Sequence, residues 1–92
     1  MASNEHEITY DIHDHIGVIK AYNSGWQKEL NIIAWNNGNP KYDIREWDMK
    51  HEHMTRGITL NAEEMEQLYR LMDGMDFKIK RTEDAGAEAE EA

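Results

Sequence analysis

Apolar positions along this chain keep two different periods, one for its first sixty residues and one for the next fifteen. Ile8, Tyr10 and Ile12 alternate with polar neighbours, the period of a half-buried strand. The alternation loosens through Ile16, Val18, Ala21 and Tyr22. Gly17 marks a bulge or bend in that strand, which is read over residues 7–22. Asn23-Ser24-Gly25 is a turn signal. Residues 26–35 form a second strand, and Leu30, Ile32, Ile33 and Trp35 put apolar groups on both of its sides, as in a central or doubly covered strand. Asn36 to Pro40 form a loop, and Pro40, without a ladder donor, fits just ahead of a third strand over 41–48. There Lys41, Asp43, Arg45 and Trp47 share one face, while Tyr42, Ile44 and Glu46 share the other, with Tyr42 and Ile44 expected toward the core. Residues 49–55 are a polar loop, and 56–60 (RGITL) make a short fourth strand.

The period then becomes helical. Asn61 is a good N-cap, Glu64 stands where a capping-box partner would, and Glu63 and Glu64 suit the positive helix start. Met65, Leu68, Leu71, Met72 and Met75 form an apolar stripe at spacings of three and four, and Gly74 is a stop signal. A short extension follows over 76–81. The order β-β-β-β-α defines an α+β fold in which one helical stripe covers one sheet face. The other face is then wet, bound to a partner, or packed on a second subunit. The expected organisation is a loose N-terminus over 1–6, one domain over 7–78 and a disordered tail over 79–92, whose Glu/Ala/Gly content has too little apolar surface to offset ordering entropy.

Ninety-two residues without a cysteine give one small domain with no disulfide and no thiolate metal site, for which dimerisation is a natural source of extra burial. No signal peptide or membrane-length apolar run is visible, so the expectation is a soluble, cytoplasmic protein without a membrane partner. The net charge of −9 argues against nucleic acid until its distribution is read. Much of it sits in Glu83, Asp84, Glu88, Glu90 and Glu91. Between residues 25 and 60, Lys28, Lys41, Arg45, Lys50 and Arg56 balance Glu29, Asp43, Glu46, Asp48 and Glu52. Binding in that neutral segment rests on stacking more than on long-range steering.

All three tryptophans lie between Trp26 and Trp47, interleaved with Lys28, Lys41 and Arg45. Aromatic faces beside cations on an extended backbone suit unstacked bases, with rings stacking and cations holding phosphates. Lys41, Arg45 and Trp47 form either a stacking surface with phosphate clamps or a solvated face on which Asp43 pairs Arg45 or Lys41. Trp35 fits either the core or a base stack, and Trp26 either a core edge or a stack. Lys28 and Arg56 are candidates for phosphate contact, and Asn31 for a base or phosphate, or for satisfying sheet backbone. His13/His15 and His51/His53 are H-x-H pairs without a third ligand, so no metal site is expected. Their charging at low pH would strengthen phosphate binding. No catalytic signature is present, so neither an enzyme nor a cofactor is expected.

The strings WQKELNIIAWN, PKYDIREW and RGITLNAEE, with the flanking strand and helix over roughly residues 5–76, resemble the transcriptional coactivator positive cofactor four family. The likeness is to its small bacterial YdbC-type members. The resemblance implies a curved four-stranded antiparallel sheet followed by one helix, in a homodimer that binds single-stranded DNA across its sheets with little sequence preference. RNA is a second candidate ligand. Eukaryotic members serve transcription and genome maintenance, which makes transcription machinery a candidate partner and the nucleoid a candidate location. Arg45 and Trp47 match the ligand-facing basic and aromatic positions of the family's third strand, with Trp47 one residue earlier than in eukaryotic members, as in the bacterial pattern. Arg56 matches the basic residue before the fourth strand. Trp26, Lys28 and Trp35 match the bacterial second strand, whereas Ile32 stands where a polar or basic residue is expected. The alternative reading is a protein-interaction adaptor that uses the aromatic face and the acidic tail.

Overall fold

The structure is a computed structural model that describes residues 8–76 and 79. The expected N-terminal segment over 1–6 and all of the tail but Ile79 lie outside the described residues. Strands β1 (Tyr10–Ala21), β2 (Gln27–Trp35), β3 (Pro40–Trp47) and β4 (Ile58–Leu60) precede helix α1 (Ala62–Asp73). The strands form one antiparallel sheet in chain order, which leaves β1 and β4 as its edges. The fourth strand is shorter than expected, and Arg56 and Gly57 belong to the segment leading into it.

The turns follow from local chemistry. Asn36 and Asn37 adopt φ of 51° and 62°, and the Gly38 N–H donates to the Trp35 carbonyl at 2.8 Å. Two successive left-handed residues inside an i to i+3 hydrogen bond make a type I′ turn, whose twist matches that of the flanking strands. Between β1 and β2, Gly25 takes φ of +100° while its N–H donates to the Tyr22 carbonyl at 3.0 Å.

β1 departs from simple pairing in a regular way. Ile12, His15, Val18 and Ala21 lie opposite Ile33, Asn31, Glu29 and Gln27, so β1 spends three residues for every two of β2. The register shifts between Ile12 and Asp14, His15 and Gly17, and Val18 and Lys20. Each bulge adds bend and twist to its strand. The accumulated curvature shows in the aromatic contacts. Tyr10 pairs with Trp35 at one end of β2, and Trp47 pairs with Gln27 at the other. Eight residues of flat strand would separate these ends by about 26 Å. Yet the Tyr10 ring lies 5.8 Å from Trp35 and 5.2 Å from Trp47. The sheet is rolled, and the face that carries these rings is its concave side.

That concave side is the interior. Ile33 and Trp47 have no exposed surface, and Glu29, Asn31 and Asp43 are as deeply buried among them. This corrects the expectation that the Tyr42 and Ile44 side of β3 is the core and the Trp47 side open. Tyr42 and Ile44 are only half-buried, in rows with Leu30, Ile32, Leu60 and Ile58 on the opposite face. The residues 48–55 connection closes the concave side. Met54 bridges to Trp47, the Thr55 N–H donates to the Glu46 carbonyl at 3.0 Å, and the His51 ring lies 5.4 Å from Trp47.

Helix α1 starts with the expected capping box. The Asn61 side chain accepts the Glu64 N–H at 2.8 Å, and the Glu64 carboxylate accepts the Asn61 N–H at 2.9 Å. Gly74 is its C-cap: the Gly74 N–H donates to the Arg70 carbonyl at 3.2 Å and the Met75 N–H to the Met72 carbonyl at 3.3 Å. The helix touches β3 and β4, but none of its residues is buried. Met65 and Leu68 are half-covered, while Leu71, Met72 and Met75 of the same stripe stand exposed, as does Tyr69.

Candidate nucleic-acid interface

The concave interior is built on two buried carboxylates, each with its own partners. Asp43 has no exposed side-chain surface and faces Arg45 two residues on. The Arg45 Nε donates to one Asp43 oxygen at 2.6 Å and Nη2 to the other at 2.8 Å, a bidentate pair, and the Thr59 hydroxyl adds a bond at 3.0 Å. Glu29 accepts from the Asn31 amide at 3.0 Å and contacts the His51 Nε2 at 2.9 and 3.0 Å. The Asn31 oxygen meets the His15 Nδ1 at 2.7 Å. His51, at φ of 59°, also receives the Tyr10 hydroxyl on its carbonyl, which ties the connection to β1 and β2 together. A buried charge is tolerated only when paired and hydrogen-bonded; Asp43 meets that condition through Arg45, and Glu29 is hydrogen-bonded through Asn31 and His51.

Beyond this filled interior a cavity of about 440 Å³ opens between Ile8, Trp35, Asn36, Arg45, Arg56 and the 54–59 segment. The Arg45 guanidinium lies 4.6 Å over the Trp35 ring, a cation–π stack at the cavity wall. Its Nη1 donates to the Thr55 carbonyl at 3.3 Å, so all three guanidinium nitrogens are engaged within the fold. Arg56 stands exposed at the rim and has no ion pair among the described residues. Gly57 lets this segment lie against β3. A Cβ there would fall 2.3 Å from the Ile44 carbonyl oxygen and 2.4 Å from the Arg45 Cβ. The indole N–H groups of Trp35 and Trp47 are buried without an acceptor among the described residues. Each such group costs about 1–3 kcal/mol.

Of the sequence-derived site residues, Trp35, Arg45 and Arg56 are brought together here. Trp47 corrects the expectation of an open stacking ring: it is sealed under Tyr10 and His51 with no exposed surface, because the rolled sheet turns its face inward. Asn31 is equally inaccessible, and both ends of its amide serve the Glu29–His15 network. Lys41 is exposed on the parity of Asp43 and Arg45, opposite Ile33 and toward the β2–β3 turn. Lys28 has the opposite parity. It pairs with Glu46 and Lys20 and interacts with Tyr22. There burial and the hydrogen bond to Glu46 at 2.8 Å raise the Tyr22 phenol above its ordinary range. Trp26 is half-buried in the β1–β2 turn, at the far end of β2 from Trp35. Asn36, Thr55 and Thr59 were not singled out from the sequence, although their closeness to Trp35, Arg56 and β4 was the available signal.

A rolled sheet with one trailing helix and a cavity walled by an indole and two guanidinium groups defines a small α+β domain with an aromatic–cationic opening. A family model described as Transcriptional Coactivator p15 (PC4) matches residues 22–71, the span from the end of β1 to the last turn of α1. The chain belongs to the PC4 family. It is also 35% identical over 68 residues to an uncharacterized protein of Treponema pallidum (strain Nichols), a match that covers 74% of this chain and 80% of that one. No helix among the described residues is long and apolar enough to cross a membrane.

Proposed function

We propose that the protein binds single-stranded DNA, and RNA by the same contacts, with low sequence specificity and as a homodimer. The observation that carries this reading is the Trp35–Arg45–Arg56 cavity at the open end of the rolled sheet, in a chain of the PC4 family. A ring, a planar cation and a free charge at one opening are the elements that hold an unstacked base and its phosphate. The second copy is supported by the end of α1, where exposed Leu71 and Met72, with Met75 just beyond the helix, form an apolar surface that a folded monomer leaves in water. The protein acts without catalysis, in transcription regulation or DNA maintenance in contact with transcription machinery, and works in the cytoplasm at the nucleoid.

Titration with oligo-dT, read by tryptophan fluorescence at two salt concentrations and compared with a matched duplex, tests the reading. The expected result is quenching by the single strand with a modest salt slope and a weaker response to duplex. An absence of quenching at micromolar protein would overturn it in favour of the protein-interaction adaptor.

A further inference from the structure

We propose that Arg45 serves as a flat plate on which one unpaired base of the strand stacks, and that Arg56 holds the adjoining phosphate. This rests on the single-strand reading and gives its two arginines different work. A phosphate clamp needs free donors and an uncompensated charge. Arg45 offers little of either: its side chain is 14% exposed, its charge is matched by a carboxylate with no exposed surface, and each nitrogen already donates inside the fold, which leaves over one Nη2 N–H. What it retains is a rigid plane. Trp35 backs that plane at 4.6 Å and both groups line the cavity; the base is assigned to the guanidinium face turned from the indole.

The bidentate bond to Asp43 fixes the plane's tilt, and the Thr55 carbonyl fixes its third corner. The order Trp35, Arg45, base continues one stack, since a guanidinium offers a delocalised face to an aromatic on each side. The cavity of about 440 Å³ is within the size range of small-molecule pockets, roughly 300–1,000 Å³. A paired base held in its own duplex stack cannot enter it. Arg56, exposed at the rim and without an ion pair among the described residues, is the charge left for the phosphate. Binding at this position is therefore insensitive to salt on Arg45 and sensitive to salt on Arg56.

The test is oligo-dT affinity of the full chain across a salt series for wild type, R45K, D43N and R56Q, with thermal melts to verify folding. R45K keeps the charge and loses the plane, so affinity should fall at least about fivefold, the low end of what removing one base stack costs. R56Q should reduce the salt slope by about 0.7, the contribution of one single-strand phosphate. D43N removes the carboxylate that neutralises Arg45 while one amide oxygen and the Thr55 carbonyl still hold the guanidinium, and its slope should remain that of wild type. Affinity of R45K within twofold of wild type would overturn the proposal. So would tighter binding by D43N with a slope steeper by about 0.7, because both mark a phosphate clamp. If R45K fails to fold, D43N decides alone. Failure of the wild-type protein to bind the oligonucleotide is a separate result, which removes the single-strand reading and this inference with it.

Discussion

Arg45 and Trp47 illustrate how a residue's type can be read from a sequence while its surroundings cannot. Their shared parity in β3 followed from counting by two, and the structure keeps it. Whether that face met water depended on the bend of the sheet, which no single position announces. The consequence is a reversal of what alanine substitution should do. Arg45→Ala leaves Asp43 buried without its cation, a loss of about 3–5 kcal/mol. Trp47→Ala empties the largest fully buried side chain and should cost a similar 3–5 kcal/mol. Urea denaturation of both variants should show midpoints well below wild type, so any loss of ligand binding in them reports folding as well as contact. Gly57→Ala makes the same point for backbone. The added Cβ cannot be accommodated by turning a flexible side chain, because it meets the Ile44 carbonyl and the Arg45 Cβ. A melting temperature several degrees lower, with the Arg45–Trp35 stack displaced in a crystal structure, is the expected outcome.

Elements differ in how much of them a local pattern can specify. The α1 cap was legible because a capping box is a four-residue device, and it forms as read. Asn61→Ala should accordingly lower stability by about 1 kcal/mol in a denaturant titration. β1 was harder, because the positions opposite the inward residues of β2 recur every third residue where a period of two was sought. The three bulges account for this, and they also leave Ile16 and Ile19 exposed between paired positions. Residues 49–55 read as a polar loop, which they are by composition, but the connection also takes in Asp48, expected at the end of the third strand, and its polar groups are spent on itself and on the interior. Asp48 is the clearest case. The His53 side chain bonds its carboxylate at 2.8 Å and, with the Glu52 and His53 N–H groups, holds its pKa down to about 2 from an ordinary 3.8, against a smaller opposing effect of desolvation. A carboxylate depressed in the folded state stabilises it at pH above the ordinary value and loses that contribution as pH falls from 3.8 toward 2. Carbon-detected NMR titration should find Asp48 ionised at pH 3, and His53→Ala should move its midpoint upward.

At the scale of the whole molecule, the rolled sheet assigns the three tryptophans to three environments, and this gives the ligand reading an internal control. Trp47 is enclosed, Trp35 lines the cavity under Arg45, and Trp26 is half-buried in the β1–β2 turn at the opposite end of β2. An indole without exposed surface should emit at short wavelength and resist a collisional quencher, whereas one beside an open cavity should respond to whatever enters it. In a protein with Trp26→Phe and Trp35→Phe, the remaining Trp47 emission should be blue-shifted, poorly quenched by acrylamide and unchanged by oligo-dT. With Trp26→Phe and Trp47→Phe, the Trp35 emission should fall on adding the oligonucleotide, and the Phe ring at 47 retains enough of the interior for the fold to survive. With Trp35→Phe and Trp47→Phe, the Trp26 signal should follow acrylamide but not the oligonucleotide. A base response from Trp47 with none from Trp35 would mean that the concave side opens to admit the strand, and that the cavity at its mouth is not where the bases lie.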